Sequence, residues 1–165
     1  DSIGREWQLA TIQLDMNLPE RFDLTCVNEK GEAERIVMIH AAIMGSLERY
    51  LSVLIEHFAG AFPLWLSPVQ VIVLPIGEGH KKYAEKVAEL LKEKRIRVEL
   101  DQSNETLGKR IREAKLQKIP YMLVIGDKEL EETKVTVESR DAGSLGALEL
   151  EETAQKLLKE IAEKK

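Results

Sequence analysis

The sequence predicts an α/β protein in two parts: an antiparallel sheet with one helix, then a mixed five-stranded sheet with three helices. Three observations carry this expectation. Residues 7–40 hold strand-like runs separated by turn-forming residues. Phe62-Pro63 and Ser67-Pro68 then bracket a short connector around Trp65, and the residue before a proline is pushed to extended backbone. From residue 69 onward strand-like and helix-like runs alternate, the pattern of parallel strands joined by crossover helices.

Taken in order, Trp7 to Asp15 reads as a strand, although Ile12 and Leu14 break strict alternation with Leu9 and Thr11. Leu18-Pro19-Glu20 reads as a turn. Phe22–Val27 and Arg35–His40 read as strands joined by the turn Asn28-Glu29-Lys30-Gly31, and three strands so joined suggest one antiparallel sheet. After Gly45 a helix is expected, with Ser46 as its cap and Gly60 as its stop. Leu47, Tyr50, Leu51, Leu54, Ile55 and Phe58 recur at helical spacing as its inward face. The expected organisation is therefore residues 1–63, a hinge at 64–68, and a second domain at 69–165.

In the second part, strands are expected at Val69–Leu74, Ile96–Leu100 and Tyr121–Ile125. Helices are expected at Lys81–Lys94 and Thr106–Gln117. Tyr83, Val87, Leu90 and Leu91 form the inward face of the first of these. Lys134–Glu138 and Leu145–Glu149 then read as a hairpin-like pair around Asp141-Ala142-Gly143. The last helix, Glu151–Lys165, should bury Ala154, Leu157, Leu158 and Ile161.

Composition narrows the class. The chain has 165 residues, of which 44% are apolar and 32% charged, enough for one domain or two small ones with a real core. Apolar runs such as Val71–Leu74 are far too short to cross a bilayer, so no membrane partner is expected. Cys26 is the only cysteine, which excludes an intramolecular disulfide and a cysteine-rich metal site. With no secretory or transit pattern at the start, a cytoplasmic location is the default. The absence of an initiating Met suggests a fragment. Residues 1–66 carry 5 Lys+Arg against 10 Asp+Glu, whereas residues 67–165 carry 19 of each. Neither balance suits non-specific nucleic-acid binding, which needs surplus cations. Any RNA contact must be local, and the best candidate is the Lys109–Lys118 run, where Lys109, Arg110, Arg112, Lys115 and Lys118 face only Glu113. A solvated helix face has the same composition.

Several residues could carry chemistry, each with a plainer reading beside it. Arg49 lies off the apolar stripe of its helix, one turn after Ser46, where a solvated arginine is common. His40 ends an apolar strand with no second His or Cys at ligand spacing. Gly77-Glu78-Gly79 sits at a strand-to-helix turn but lacks the lysine of a phosphate loop. Gln8 and Gln13 suit a ligand or a sheet surface equally. His57, His80 and Cys26 carry no signal.

Read together, the motifs resemble one family. Gly4-Arg5-Glu6-Trp7-Gln8, Thr11-Ile12-Gln13-Leu14-Asp15 and Leu18-Pro19-Glu20-Arg21 are similar in unbroken order to a bacterial threonyl-tRNA synthetase. Met38-Ile39-His40 and Gly45-Ser46-Leu47-Glu48-Arg49-Tyr50 follow and resemble the class II motif 3. Phe58-Ala59-Gly60, Pro63-Leu64-Trp65-Leu66 and Pro68-Val69-Gln70 match the hinge. Asn104-Glu105, Lys109-Arg110-Ile111-Arg112-Glu113, Pro120-Tyr121-Met122-Leu123-Val124 and Gly126-Asp127-Lys128-Glu129 match the anticodon-binding domain. The resemblance covers essentially the whole chain.

It implies the remnant of a class II catalytic domain, with its antiparallel sheet and motif 3 helix, followed by an anticodon-binding domain. It also implies ligation of threonine to tRNA-Thr with ATP and Mg2+, in an enzyme expected to be a homodimer. Arg49 would pair with ATP phosphate as pyrophosphate leaves. Gln8, Thr11 and Ser46 would help seat the nucleotide, and Gln13 would lie beside threonine. His40 would be one of three ligands to Zn2+, the other two lying upstream. Asn104, Arg112 and Glu129 would read splayed anticodon bases. Two positions depart from the family. Ala41 replaces the usual arginine after the zinc histidine, and Glu138 stands where an arginine usually follows Lys-Val-x-Val, with Arg140 a possible substitute. The alternatives are a freestanding anticodon-domain-like RNA-binding module without catalysis, and a flavodoxin-like signalling or nucleotide domain suggested only by residues 69–125.

Overall fold

A computed structural model describes residues 1–164 of the chain, which divides into two compact units, Asp1–His57 and Phe58–Lys165.

The first unit is built on two short antiparallel ladders. β1 (Thr11–Asp15) pairs with β4 (Met38–Ala42), and β2 (Thr25–Val27) pairs with β3 (Ala33–Arg35). The single three-stranded sheet expected from the sequence is therefore replaced by two separate pairs. The cause is a change of partner at Ile36–Val37: Arg35 still faces Thr25, whereas Met38 already faces Asp15. The first strand is also shorter than its apolar pattern suggests, because residues 7 and 8 are held by side-chain bonds rather than by a ladder. Leu18-Pro19-Glu20 lies within a short helix, α1 (Asn17–Arg21), instead of a turn. Asp15 accepts the amides of Asn17 and Leu18 at its start, and proline is tolerated in a first turn because its missing N–H has no helical acceptor there. α2 (Leu47–His57) follows, but its apolar face is not inward: Leu47, Leu51 and Ile55 are all exposed and no α2 residue is buried.

The second unit holds a five-stranded mixed sheet in the order β6-β5-β7-β8-β9. β5 (Val71–Pro75) pairs in parallel with β6 (Val98–Leu100) and β7 (Tyr121–Ile125). β8 (Lys134–Ser139) is antiparallel to β7 and forms a hairpin with β9 (Gly143–Glu149). Alternation of side chains gives the sheet two faces. Val71, Val73, Leu123, Val135 and Val137 pack with α3 (Lys81–Glu93) and α6 (Leu150–Ala162) on one face. Ile72, Leu74 and Met122 pack with α4 (Leu107–Leu116) on the other. Besides a 3-10 turn at Glu78–His80, this unit has four α-helices among the described residues rather than the expected three. The extra one, α5 (Asp127–Glu132), is short and almost wholly charged, so it has no apolar period to reveal it. In the last helix Leu157 is buried but Leu158 is partly exposed, and Lys165, the expected helix end, lies outside the described residues. The connector packs within this unit, with Leu64 buried and its carbonyl accepting from Gln70 Nε2 at 2.9 Å. No described helix is long and apolar enough to cross a membrane.

Candidate functional site

In the first unit the β1–β4 register sets Gln13 directly opposite His40. His40 Nε2 lies 2.9 Å from Asp15 Oδ2. The Asp15 carboxyl is held below the usual carboxylate range, first by the Leu18 amide and then by His40. Gln13 and His40 both border two open hollows of about 950 and 540 Å³. Ala41 faces Ile12 across the ladder and lines the smaller one, so no cation stands there.

The start of α2 approaches the segment before β1. Gly45 has φ +59°, and a Cβ on it would meet the Leu9 carbonyl oxygen at 2.9 Å, so both backbone shape and space call for glycine. Ser46 Oγ accepts the Arg49 amide at 3.3 Å and donates to Glu48 at 2.9 Å. The Arg49 guanidinium donates from Nη1 to the Gln8 carbonyl at 3.1 Å and lies 5.7 Å from the Trp7 ring centroid. Gln8 Nε2 in turn donates to Thr11 Oγ1 at 2.7 Å. Gln8, Thr11, Ser46 and Arg49 are thus brought together. With one contact used, the arginine fork keeps donors for an anionic oxygen. Trp7, on which the guanidinium rests, was not singled out by sequence. Its place four residues before Thr11 carries no chemical pattern.

Zinc needs three or four protein ligands, and the described residues contain no cluster of three His, Cys, Asp or Glu side chains fit to hold a metal. His40 with Asp15 fits one ligand and its carboxylate support, the usual companion of a metal-binding histidine. Among the described residues, His40 and Asp15 thus offer one such ligand with its support.

In the second unit, β5 has β6 on one side and β7 on the other, with α3 and α4 on opposite faces. A crevice opens outside the carboxyl end of β5, the position where open α/β sheets take ligands. Its volume is about 200 Å³, and Gly77, Glu78, Asn104, Glu105 and Arg110 are among its walls. Glu129 stands at the start of α5, after β7. Its Oε2 accepts the Gly126 amide at 2.9 Å and its Oε1 accepts Thr136 Oγ1 at 2.7 Å. Those bonds, Thr136 first, hold the carboxyl below its ordinary range.

Glu138 lies two residues after Thr136 on the same face of β8, opposite Met122, and Lys115 Nζ of α4 is 3.8 Å from it. Arg112 precedes Lys115 by three residues on α4 and is therefore its neighbour. Arg112, Lys115, Glu138, Thr136 and Glu129 follow one strip over α4, β8 and α5, while Asn104 lines the crevice apart from it. The basic run is less open than its composition suggests. Lys109 pairs with Glu105 at 2.6 Å, Lys118 bonds the Ala59 carbonyl, and Arg110 is buried. Among the described residues Arg112 has no salt-bridge partner. Arg110 follows Leu107 by three and precedes Ala114 by four, which puts it on the inward side of α4 and not on an open basic face. Arg140, two residues after Glu138, is engaged within the unit. Its guanidinium is spent on the Phe62 and Lys118 carbonyls, both at 3.0 Å, and on Asp141.

Comparison with known proteins fits this division. Residues 70–160 match the family model described as an anticodon binding domain, and residues 1–58 match the class II tRNA synthetase core domain (G, H, P, S and T). The chain is 58% identical over 164 residues to the threonine-tRNA ligase of Caldanaerobacter subterraneus subsp. tengcongensis, covering 99% of this chain and 26% of that protein. It is 58% identical over 161 residues to that of Clostridium tetani, covering 98% of this chain and 25% of the relative. The chain thus spans about a quarter of the length of these relatives. The crystal structure of the RNA binding domain of threonyl-tRNA synthetase from Cryptosporidium parvum Iowa II superposes with a TM-score of 0.85 at 41% identity, over 96% of this chain and 40% of that one. The chain belongs to the anticodon binding domain family, and its sequence and fold are those of the C-terminal region of a threonyl-tRNA synthetase.

Proposed function

We propose that the chain serves as the C-terminal part of a threonine-tRNA ligase, an enzyme that activates threonine with ATP and Mg2+ and transfers it to tRNA-Thr. Residues 1–63 belong to its catalytic domain, 64–68 form the hinge, and 69–165 bind the anticodon. The whole enzyme is a cytoplasmic homodimer. The observation that carries this reading is the convergence of Gln8, Thr11, Ser46 and Arg49 where α2 begins.

The Arg49 guanidinium binds a phosphate oxygen of ATP and offsets charge as pyrophosphate departs. Ser46, Gln8 and Thr11 hold that guanidinium and the nucleotide in register. Gln13, opposite His40, contacts threonine. His40, with ligands outside this chain, would hold Zn2+, which would supply a Lewis acid for the amino and hydroxyl groups of threonine and so separate it from valine, a pair that a hydrophobic pocket separates poorly. Asp15 orients the His40 ring. In the second unit Asn104, Arg112 and Glu129 read anticodon bases. Glu129 does so with a carboxylate already anchored by two donors, which fixes the direction of its remaining lone pairs.

The test is a titration of the chain with the tRNA-Thr anticodon stem-loop and with loops altered at the second and third anticodon positions. Weak binding is expected, falling with salt, because the second part carries no net charge and attraction comes from a few local cations. The cognate loop should be preferred by about 1–3 kcal/mol per altered base. Equal affinity for every loop, unaffected by Arg112→Ala, would remove the anticodon assignment.

A further inference from the structure

We propose that Arg110 is the positioning residue of the Asn104 loop. The inference rests on the anticodon reading of that loop. Arg110 sits on the inward side of α4 and is only 5% exposed. Its Nη2 donates to the Pro75 carbonyl, the last residue of β5, at 2.6 Å. Its Nε lies 4.0 Å from Asp101 Oδ2 and has no hydrogen-bond partner.

Asp101 opens the loop that carries Asn104. Its amide donates to the Val73 carbonyl at 3.0 Å, and its Oδ1 accepts the Ser103 amide at 2.8 Å. The loop closes at Thr106, which caps α4 and whose carbonyl accepts the Arg110 amide at 3.1 Å. One residue therefore links the end of β5 and the first residue of the loop, through its side chain, to the start of the helix that ends the loop, through its amide. A buried cation is costly unless a counter-charge faces it. The other carboxylates at the crevice are taken, Glu105 by Lys109 and Glu78 by Lys81. Asp101 is left to balance Arg110, and the balance holds only while the loop keeps its place. The unfilled Nε–H marks that arm as the adjustable one.

The test uses the full chain with Arg110→Lys and Asp101→Asn. Lysine keeps the charge and one donor for Pro75 but has no second arm. Asparagine keeps an acceptor for Ser103 and removes the counter-charge. In both variants the Ser103 amide, bonded to Asp101, should exchange about tenfold faster, while Val87 and Leu91 stay protected. Preference for the cognate stem-loop over altered loops should fall about tenfold, the scale of one misplaced base contact. The salt slope should not change, because Arg110 meets no phosphate. A merely structural role would lower core protection and weaken every loop alike. If Arg110→Lys loses core protection, Asp101→Asn decides. Unchanged loop exchange and unchanged preference would overturn the proposal, as would a salt slope reduced by about one. A wild-type chain with no preference among loops would end the anticodon reading instead, and the exchange arm would still show whether Arg110 holds the loop.

Discussion

Arg49 is exposed and rests on Trp7, itself exposed, and on the Gln8 carbonyl. Its loss should therefore be felt in chemistry more than in folding. In the full-length ligase Arg49→Ala is expected to slow threonine-dependent pyrophosphate exchange by about two orders of magnitude, the scale of losing one charge-stabilising donor. Its thermal unfolding should stay near that of the parent, and an undiminished exchange rate would return Arg49 to the solvated surface. Glu129 behaves differently, because its carboxylate is built into the start of α5. Its folded pKa is depressed, so the folded chain binds fewer protons here than the unfolded one. The stabilisation is complete above the unfolded glutamate pKa of about 4.3 and is lost as pH falls through the folded value. Melting curves taken through that acid window should show a steeper decline for the parent than for Glu129→Gln. Parallel curves would mean that the two bonds do not form in solution.

At the level of elements, helices with similar apolar spacing have opposite fates. α3 lays Val87 and Leu91 against the sheet with no exposure, whereas α2 leaves Leu51 44% exposed. Leu91→Ala should cost about 2–5 kcal/mol through lost burial and an unfilled cavity. Leu51→Ala in this chain should stay within about 0.5 kcal/mol. Urea unfolding of the two variants decides it, and equal losses would show that α2 is packed after all. β7 was legible to the residue because Tyr121–Ile125 is a continuous apolar run between turn signals. α5 was not, because Asp127–Glu132 is short and almost wholly charged and carries no apolar period. α4 shows a mixture: its span was readable, whereas its Thr106 cap and the burial of a charged Arg110, which depends on Pro75 and Asp101 from two other segments, came from the structure.

For the whole molecule, the two units differ in whether they own a core. In residues 1–57 only Pro19 is buried, and Ile12, Leu14, Ile39 and Ile43 are largely exposed. The second unit buries residues on both faces of its sheet. Residues 58–165 alone should therefore unfold cooperatively and keep the stem-loop affinity of the whole chain. The whole chain should give no threonine-dependent pyrophosphate exchange above a blank, since a catalytic zinc normally takes three protein ligands and only one is expected here. Turnover by the isolated chain would show that it carries a complete active site.

The sequence by itself determined the α/β class, the order of nearly every strand and helix, and the family, because these follow from apolar period, turn chemistry and motif order along the chain. Only the tertiary structure decided which strands pair in the first unit, that the α2 stripe has no cover, that Arg110 lies inside, and that Arg140 is already engaged. Each of those depends on which distant segment supplies the partner. A side chain's own neighbours in sequence fix where it can point, but whether it meets a carbonyl, a carboxylate or water is set by the fold.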